Sequence, residues 1–213
     1  MAAAVDTRTL LCVFAKAPCK ERVKTRIAQA IGQPQATRLY KRMVRHALSN
    51  TASLNVNKQL YCTDCNDSFL RECAKQYCLD MVQQQGADLG DRMAHCTYNG
   101  LQQYDTVMII GTDCPQIDSL YCQNALRQSR DNDTVIGPAQ DGGYVMITLH
   151  RFDARIFQTI DWGSGRVLEQ TRRQLRSLAW RWSEMHTLND IDLPADLALA
   201  EKYLSPNRST DRL

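Results

Sequence analysis

The sequence predicts an α/β protein: a mostly parallel, Rossmann-like sheet with helices on both faces. Short apolar runs of strand length alternate with helix-period segments along most of the chain, which is the pattern of successive β–α units. The most apolar run, residues 106–110 (TVMII), sits mid-chain and ends at Gly111, as expected of a strand buried on both faces in the middle of the sheet. At 213 residues, with 44% hydrophobic and 23% charged residues, the chain can bury a large core, and one domain spanning 1–213 is expected.

The elements follow in order. Residues 9–14 (TLLCVF) form a buried first strand that runs into a loop containing Lys and Pro. From Pro34 onward, Leu39, Met43, Val44, Ala47 and Leu48 recur at helical spacing and mark an amphipathic helix. Strand 59–62, helix 68–76, strand 79–82 and helix 89–102 continue the alternation. After the central strand and Pro115 comes a helix whose apolar positions are Ile117, Leu120, Tyr121 and Ala125. Strands at 134–137 and 144–149 flank the loop PAQDGG, a helix spans 164–178, a late strand covers 180–185, and a helix over 194–204 precedes a polar tail, 205–213, expected to fray.

Composition excludes several classes. The net charge of +3 comes without a dense Lys/Arg block interleaved with aromatics, so nucleic acid is not an expected partner. No apolar run is long enough to span a bilayer. The first ten residues lack the basic start and apolar middle of a signal peptide, so a cytoplasmic location is expected. Nine scattered cysteines read as reduced thiols. Cys62 and Cys65 form the one C-x-x-C, with no second pair or nearby His to complete a zinc site. His46, His95, His150 and His186 have no metal-binding spacing, and serine-hydrolase, zinc-protease, dinucleotide-fold and P-loop signatures are absent.

Ligands of open α/β sheets bind beyond the carboxyl ends of the strands, which singles out four segments. Lys16, Lys20, Arg22, Lys24 and Arg26 crowd the loop after the first strand, where backbone N–H groups and basic side chains suit a polyphosphate or form a solvated basic loop. Asp113, beside Thr112 at the tip of the central strand, is either a magnesium ligand or a cap of the next helix. Asp190 and Asp192 in DIDLPADL are candidates for a second carboxylate, or for an N-cap. Asp141, Gly142, Gly143 and Tyr144 are either a hairpin turn or a place where missing side chains let a sugar or base approach the backbone. Asp88, Arg92 and Trp162 are further pocket candidates, each also explicable as a cap, a surface ion pair or a core aromatic.

The segments FAKAPCKERVKTR, GADLGDRM, IIGTDCP, VIGPAQDGGYVMI and NDIDLPADL, in this order over residues 10–204, resemble the glycosyltransferase-like proteins of the DUF2064 family. The resemblance implies the GT-A fold of nucleotide-diphospho-sugar transferases, related to 2-phospho-lactate guanylyltransferases and molybdenum-cofactor nucleotidyltransferases. It further implies a transferase dependent on Mg²⁺ or Mn²⁺ that takes a nucleotide or nucleotide-sugar donor and a small-molecule acceptor. Glycosyl transfer is the first expectation, nucleotidyl transfer with release of pyrophosphate the second, and a non-catalytic nucleotide-binding module the third. By the same resemblance Lys16, Lys24 and Arg26 grip the nucleotide phosphates, Asp113 binds the metal and Asp192 completes the metal site. Two departures stand out. Lys20 and Glu21 occupy positions where the family has Pro and Gly, so Glu21 should turn away from bound phosphate or pair with a basic neighbour. Gly163-Ser164-Gly165 follows Trp162 where relatives show Ser-Thr.

Overall fold

The computed structural model of the chain describes residues 6–205. Seven strands form one sheet: β1 (Asp6–Ala15), β2 (Val56–Cys62), β3 (Asp80–Gln83), β4 (Thr106–Gly111), β5 (Thr134–Pro138), β6 (Tyr144–Leu149) and β7 (Trp182–Glu184). Their spatial order is β3-β2-β1-β4-β6-β5-β7, so the TVMII strand is the middle one of seven. The pairs β3–β2, β2–β1, β1–β4 and β5–β7 are parallel. Strand β6 runs antiparallel to both of its neighbours. The reversal follows from the short loop after β5, which can close a hairpin but is too short for the crossover that a parallel return needs.

Alternation along the central strands builds a layer on each face. Leu11, Val13 and Ala15 of β1, with Met108 and Ile110 of β4, face one core. Helices α2 (Gln33–Thr51), α3 (Ser68–Tyr77) and α5 (Ser119–Gln128) close that core with Tyr40, Val44, Leu70 and Tyr121. Leu10, Cys12 and Phe14, with Val107 and Ile109, face the other. It is closed by α4 (Leu89–Gly100), α6 (Val167–Ser177) and the 3₁₀ turn Ala154–Phe157. A smaller core joins α1 (Thr25–Ile31), α2 and α7 (Leu197–Leu204) through Ile27, Leu39, Met43, Ile191 and Ala200.

The elements read from the sequence are present, with shifted ends. Helix α6 begins at Val167 rather than 164, because Gly163 (φ 82°) and its neighbours form a turn first. The last helix opens as the 3₁₀ turn Pro194–Asp196 before α7. Helix α1 and the turn Ala154–Phe157 were not anticipated: each is two turns or less, too short for a period to show. Leu120, expected to face the core, is 59% exposed. The helix begins only at Ser119, and its inward face is set by Tyr121, Cys122 and Ala125. The tail expected to fray lies, apart from Ser205, outside the described residues. Among the described residues, no helix is long and apolar enough to cross a membrane, and the nine cysteines are all free thiols.

Strand β7 is short and at the sheet edge, and an ion pair ties it to α6. Arg172 donates from Nε and Nη2 to the two oxygens of Glu184, at 2.8 and 2.7 Å. This pairing holds the Glu184 carboxyl below its ordinary value of 4.5. A depressed carboxylate contributes stability that is complete above its unfolded value and is lost as pH falls through the folded one. Glu184→Gln should therefore cost about 0.5–1 kcal/mol at neutral pH. That deficit should shrink as pH falls below the ordinary value of 4.5 and vanish once the carboxyl is protonated in the folded protein as well, as measured by urea denaturation of both proteins across pH.

Candidate functional site

A cleft of about 490 Å³ opens beyond the carboxyl ends of β1 and β4. One side is acidic. Gly111 ends β4 and Thr112 turns the chain, leaving Asp113 at the rim with its side chain half exposed. The Ile191 N–H donates to the Asp113 carbonyl at 2.8 Å, which lays the DID segment alongside. Within that extended segment successive side chains alternate in direction. Ile191 is fully buried in the small third core, while Asp190 and Asp192 line the cleft.

The two acidic segments share a cation. The Lys24 side chain is only 2% exposed, and its Nζ lies 3.0 Å from Asp113 Oδ1 and 3.9 Å from Asp192 Oδ1. The same ammonium donates to the Ile191 carbonyl. Arg26, exposed on the outside, donates to Asp192 Oδ2 at 2.6 Å. Neither Lys24 nor Arg26 lines the cleft, so both expected phosphate ligands are engaged by carboxylates instead. The capping alternatives are filled by other acids. Asp118 caps α5 by accepting from Tyr121 N–H at 2.7 Å, and Asp196 accepts from the N–H groups of Asp192 and Leu193.

Asp141, on the loop between β5 and β6, brings a further carboxylate to the cleft. Asp190 feels the crowding. Burial, then the charge of Asp141, push its carboxyl up to about 6, against the opposing pull of its own backbone hydrogen bond and of Lys24.

The loop after β1 is pinned through Tyr40 of α2. The buried hydroxyl accepts from Lys16 N–H at 2.7 Å and donates to the Lys16 carbonyl at 3.2 Å, with Thr112 Oγ1 at 3.5 Å. Burial, with the nearby charge of Asp113, pushes the Tyr40 phenol well above its ordinary range. Lys16 itself is exposed and lines the cleft. The substituted pair Lys20-Glu21 makes no left-handed turn. The positive φ of this loop falls on Lys24 (φ 51°), at the start of α1. Glu21 does not itself line the cleft, and it accepts from the hydroxyl of Thr63, a cleft residue, rather than pairing with a basic side chain.

The opposite wall comes from α4, β6 and the loop before α6. Arg92 lines it, its Nε directed at the Gly86 carbonyl at 3.4 Å. Asp88, by contrast, is the N-cap of α4, accepting from Asp91 N–H at 2.8 Å, and does not line the cleft. Tyr144 and Trp162 meet edge to face, with centroids 6.2 Å apart. Trp162 can lie against α4 because position 90 is glycine: a Cβ there would sit 2.4 Å from the indole Nε1. Gly143 lines the cleft, whereas Gly142 (φ 87°) packs on Gly165, whose carbonyl oxygen would be 2.2 Å from an added Cβ. Gly142 therefore fixes the two cleft loops together, and no L side chain fits there.

A profile of the DUF2064 family, described as uncharacterised proteins conserved in bacteria, matches residues 22–164. The chain belongs to this family. No curated protein matches it. Among solved structures, a protein of Desulfovibrio desulfuricans G20, provisionally described as a nucleotide-diphospho-sugar transferase, superposes with a TM-score of 0.84. It is 28% identical to this DUF2064 chain, over 96% of this chain and 92% of the other. A CMP:2-keto-3-deoxy-manno-octonic acid synthetase complexed with CTP gives 0.57 at 10% identity, over 92% and 98% of the two chains. A glucosyl-3-phosphoglycerate synthase of Mycobacterium tuberculosis in complex with Mg²⁺ and UDP gives 0.55 at 9% identity, over 91% and 74%. The last two share the fold alone. The DUF2064 chain thus has the α/β architecture of nucleotide-diphospho-sugar transferases.

Among the described residues, no three or more His, Cys, Asp and Glu side chains converge as a ready-made metal cage. Two converging carboxylates nevertheless fit a hard divalent ion that draws its other ligands from phosphate and water. The excess of acids in the cleft points the same way. Tyr40, Thr63 and Gln84 also line the cleft without having been anticipated. Tyr40 was legible in principle, since it continues the apolar face of α2; the other two follow a strand end with no motif to mark them.

A carboxyl whose folded value is raised binds its proton more tightly in the fold than in the unfolded chain, so stability falls as pH rises through the interval. For Asp190 that interval runs from 3.8 to about 6. Asp141→Asn removes the largest charge contribution. It should bring the Asp190 value down and shrink this loss, as followed by carboxyl ¹³C NMR and by denaturation on either side of the interval.

Proposed function

We propose that this DUF2064 protein is a transferase that uses a nucleotide-activated donor, with a nucleotide-sugar as the donor and a small molecule as the acceptor, and that one domain carries the whole reaction. The observation that carries this reading is the convergence of Asp113 and Asp192 at the end of the central strand, in a cleft of ligand size, within a fold shared with nucleotide-sugar transferases. Lys16, at the end of β1 and free of any ion pair among the described residues, binds the donor phosphates together with the backbone around Thr112. Asp141, Gly143, Tyr144 and Trp162 form the wall against which the donor's transferred group rests. Asp113 and Asp192 would hold a Mg²⁺ or Mn²⁺ ion, which would offset the negative charge of the diphosphate leaving group.

In the transfer, an acceptor hydroxyl oxygen bonds to the anomeric carbon of the sugar as the bond from that carbon to the diphosphate oxygen breaks. The hydroxyl proton passes to solvent, and a nucleoside diphosphate departs. Lys24 acts through the carboxylates it positions. Glycosyl transfer stands ahead of nucleotidyl transfer for a specific reason. Of the five basic residues whose crowding suggested a polyphosphate site, Lys16 alone lines the cleft, which leaves few cations for a triphosphate.

Incubation with nucleotide-sugars and Mg²⁺ or Mn²⁺ should release nucleoside diphosphate, and Asp113→Asn should lower the rate by about 10²-fold or more. Pyrophosphate release from nucleoside triphosphates would move the assignment to nucleotidyl transfer. Turnover unchanged in Asp113→Asn would remove the metal role from this residue.

A further inference from the structure

The cleft has two halves of different chemistry, set by the two faces of the sheet. Lys16, Tyr40 and Thr112 are tied to one another on the face covered by α2. Arg92, Met93, Tyr144 and Trp162 belong to the face covered by α4 and α6, where Met93 is core and Tyr144 and Trp162 pack against it. Every carboxylate of the cleft comes from a loop at the end of β4 or β5 or from the DID segment, and α4 contributes none. Arg92 differs in this from Arg26 and Arg172, whose side chains are held by carboxylates. It forms no ion pair among the described residues, and its one side-chain hydrogen bond among them is the long contact from Nε to the Gly86 carbonyl. Arg92 shares the lining of this half of the cleft with the apolar side chains of Phe14, Leu89 (44% exposed), Met93 and the aromatic pair.

A guanidinium cannot shed its charge in a protein, and its planar fork matches carboxylate and phosphate oxygens two at a time. In a half-enclosed apolar setting, an anion there replaces little competing hydration and gains a partly desolvated partner. We infer that the Arg92 half of the cleft is an acceptor subsite for a small organic anion, a carboxylate or phosphate monoester attached to an apolar body. The anion meets Arg92 while the body lies on Leu89, Met93 and Trp162. The inference rests on the donor-and-acceptor reading given above and adds the chemical class of the acceptor.

The test uses the full chain with phenyl phosphate, benzoate and benzyl alcohol as probes, and measures nucleoside diphosphate binding separately in each protein. The unsubstituted protein should bind at least one of the two anions about tenfold or more tightly than the alcohol, as a charge-assisted contact implies. Whichever anion binds more tightly fixes the class. Arg92→Gln should lose this preference while keeping nucleotide affinity, and Arg92→Lys should recover only part of it, since a point charge replaces the fork. Lys16→Gln should do the reverse, weakening the nucleotide and keeping the preference. Equal binding of anions and alcohol by the unsubstituted protein would overturn the inference, as would a preference abolished by Lys16→Gln and untouched in Arg92→Gln. Failure of the unsubstituted protein to bind any nucleotide would strike the donor reading instead, and the anion preference would still be decided by its own titration.

Discussion

The buried ammonium of Lys24 is the contact on which the site depends. It joins three groups at one atom: Asp113 at the end of the central strand, Asp192 some eighty residues later in the chain, and the Ile191 carbonyl between the late acids. To reach them, the backbone at Lys24 adopts a left-handed conformation that is uncommon for a residue with a side chain. That local cost is offset by ion pairing in a setting where an unpaired ammonium would be expensive. Ile191 and Ile27, both fully buried, fasten the same two segments from below. The acids are thus held by charge above and by apolar packing beneath.

This arrangement leaves the cleft electrostatically unfinished. Asp113, Asp141, Asp190 and Asp192 face it, and Asp190 is pushed up to about 6 by burial and by its acidic neighbours. A nucleotide diphosphate would add more negative charge, so binding requires a cation beyond Lys16. On the proposed reading, a divalent ion between Asp113 and Asp192 would answer that need on the acidic side. The reversed strand β6 makes the geometry possible. Its hairpin with β5 brings Asp141, Gly143 and Tyr144 to the edge where β1 and β4 end.

The architecture was legible because its signals are local. Continuous apolar runs at residues 9–14 and 106–110 marked the two central strands, and helical spacing from Leu39 to Leu48 marked α2, whose five cited positions are all buried. The reversal of β6 was legible only through the short loop that offered a hairpin turn at Asp141–Tyr144, since a period of two carries no direction. At the site, Asp113 and Asp192 could be chosen by their places after a strand and before a helix, and they do come together. What the sequence hid was how charge is apportioned. Lys24, Arg26 and Lys16 look alike in a basic loop, yet a left-handed residue buries the first, the second pairs outside the cleft, and only the third faces it. Glu21 was equally opaque, because its partner Thr63 is distant in sequence and adjacent only across the β1–β2 edge.

Comparative denaturation of Lys24→Met tests the organising role of this ammonium most directly, since methionine keeps much of the stem and removes the charge. Removing one partner of a fully buried pair costs about 3–5 kcal/mol. Because Asp113 and Asp192 remain partly exposed, a smaller loss of about 1–3 kcal/mol is expected, and added Mn²⁺ should restore part of it by taking over the two carboxylates. Equal or greater stability of Lys24→Met, with no differential response to Mn²⁺, would contradict the account.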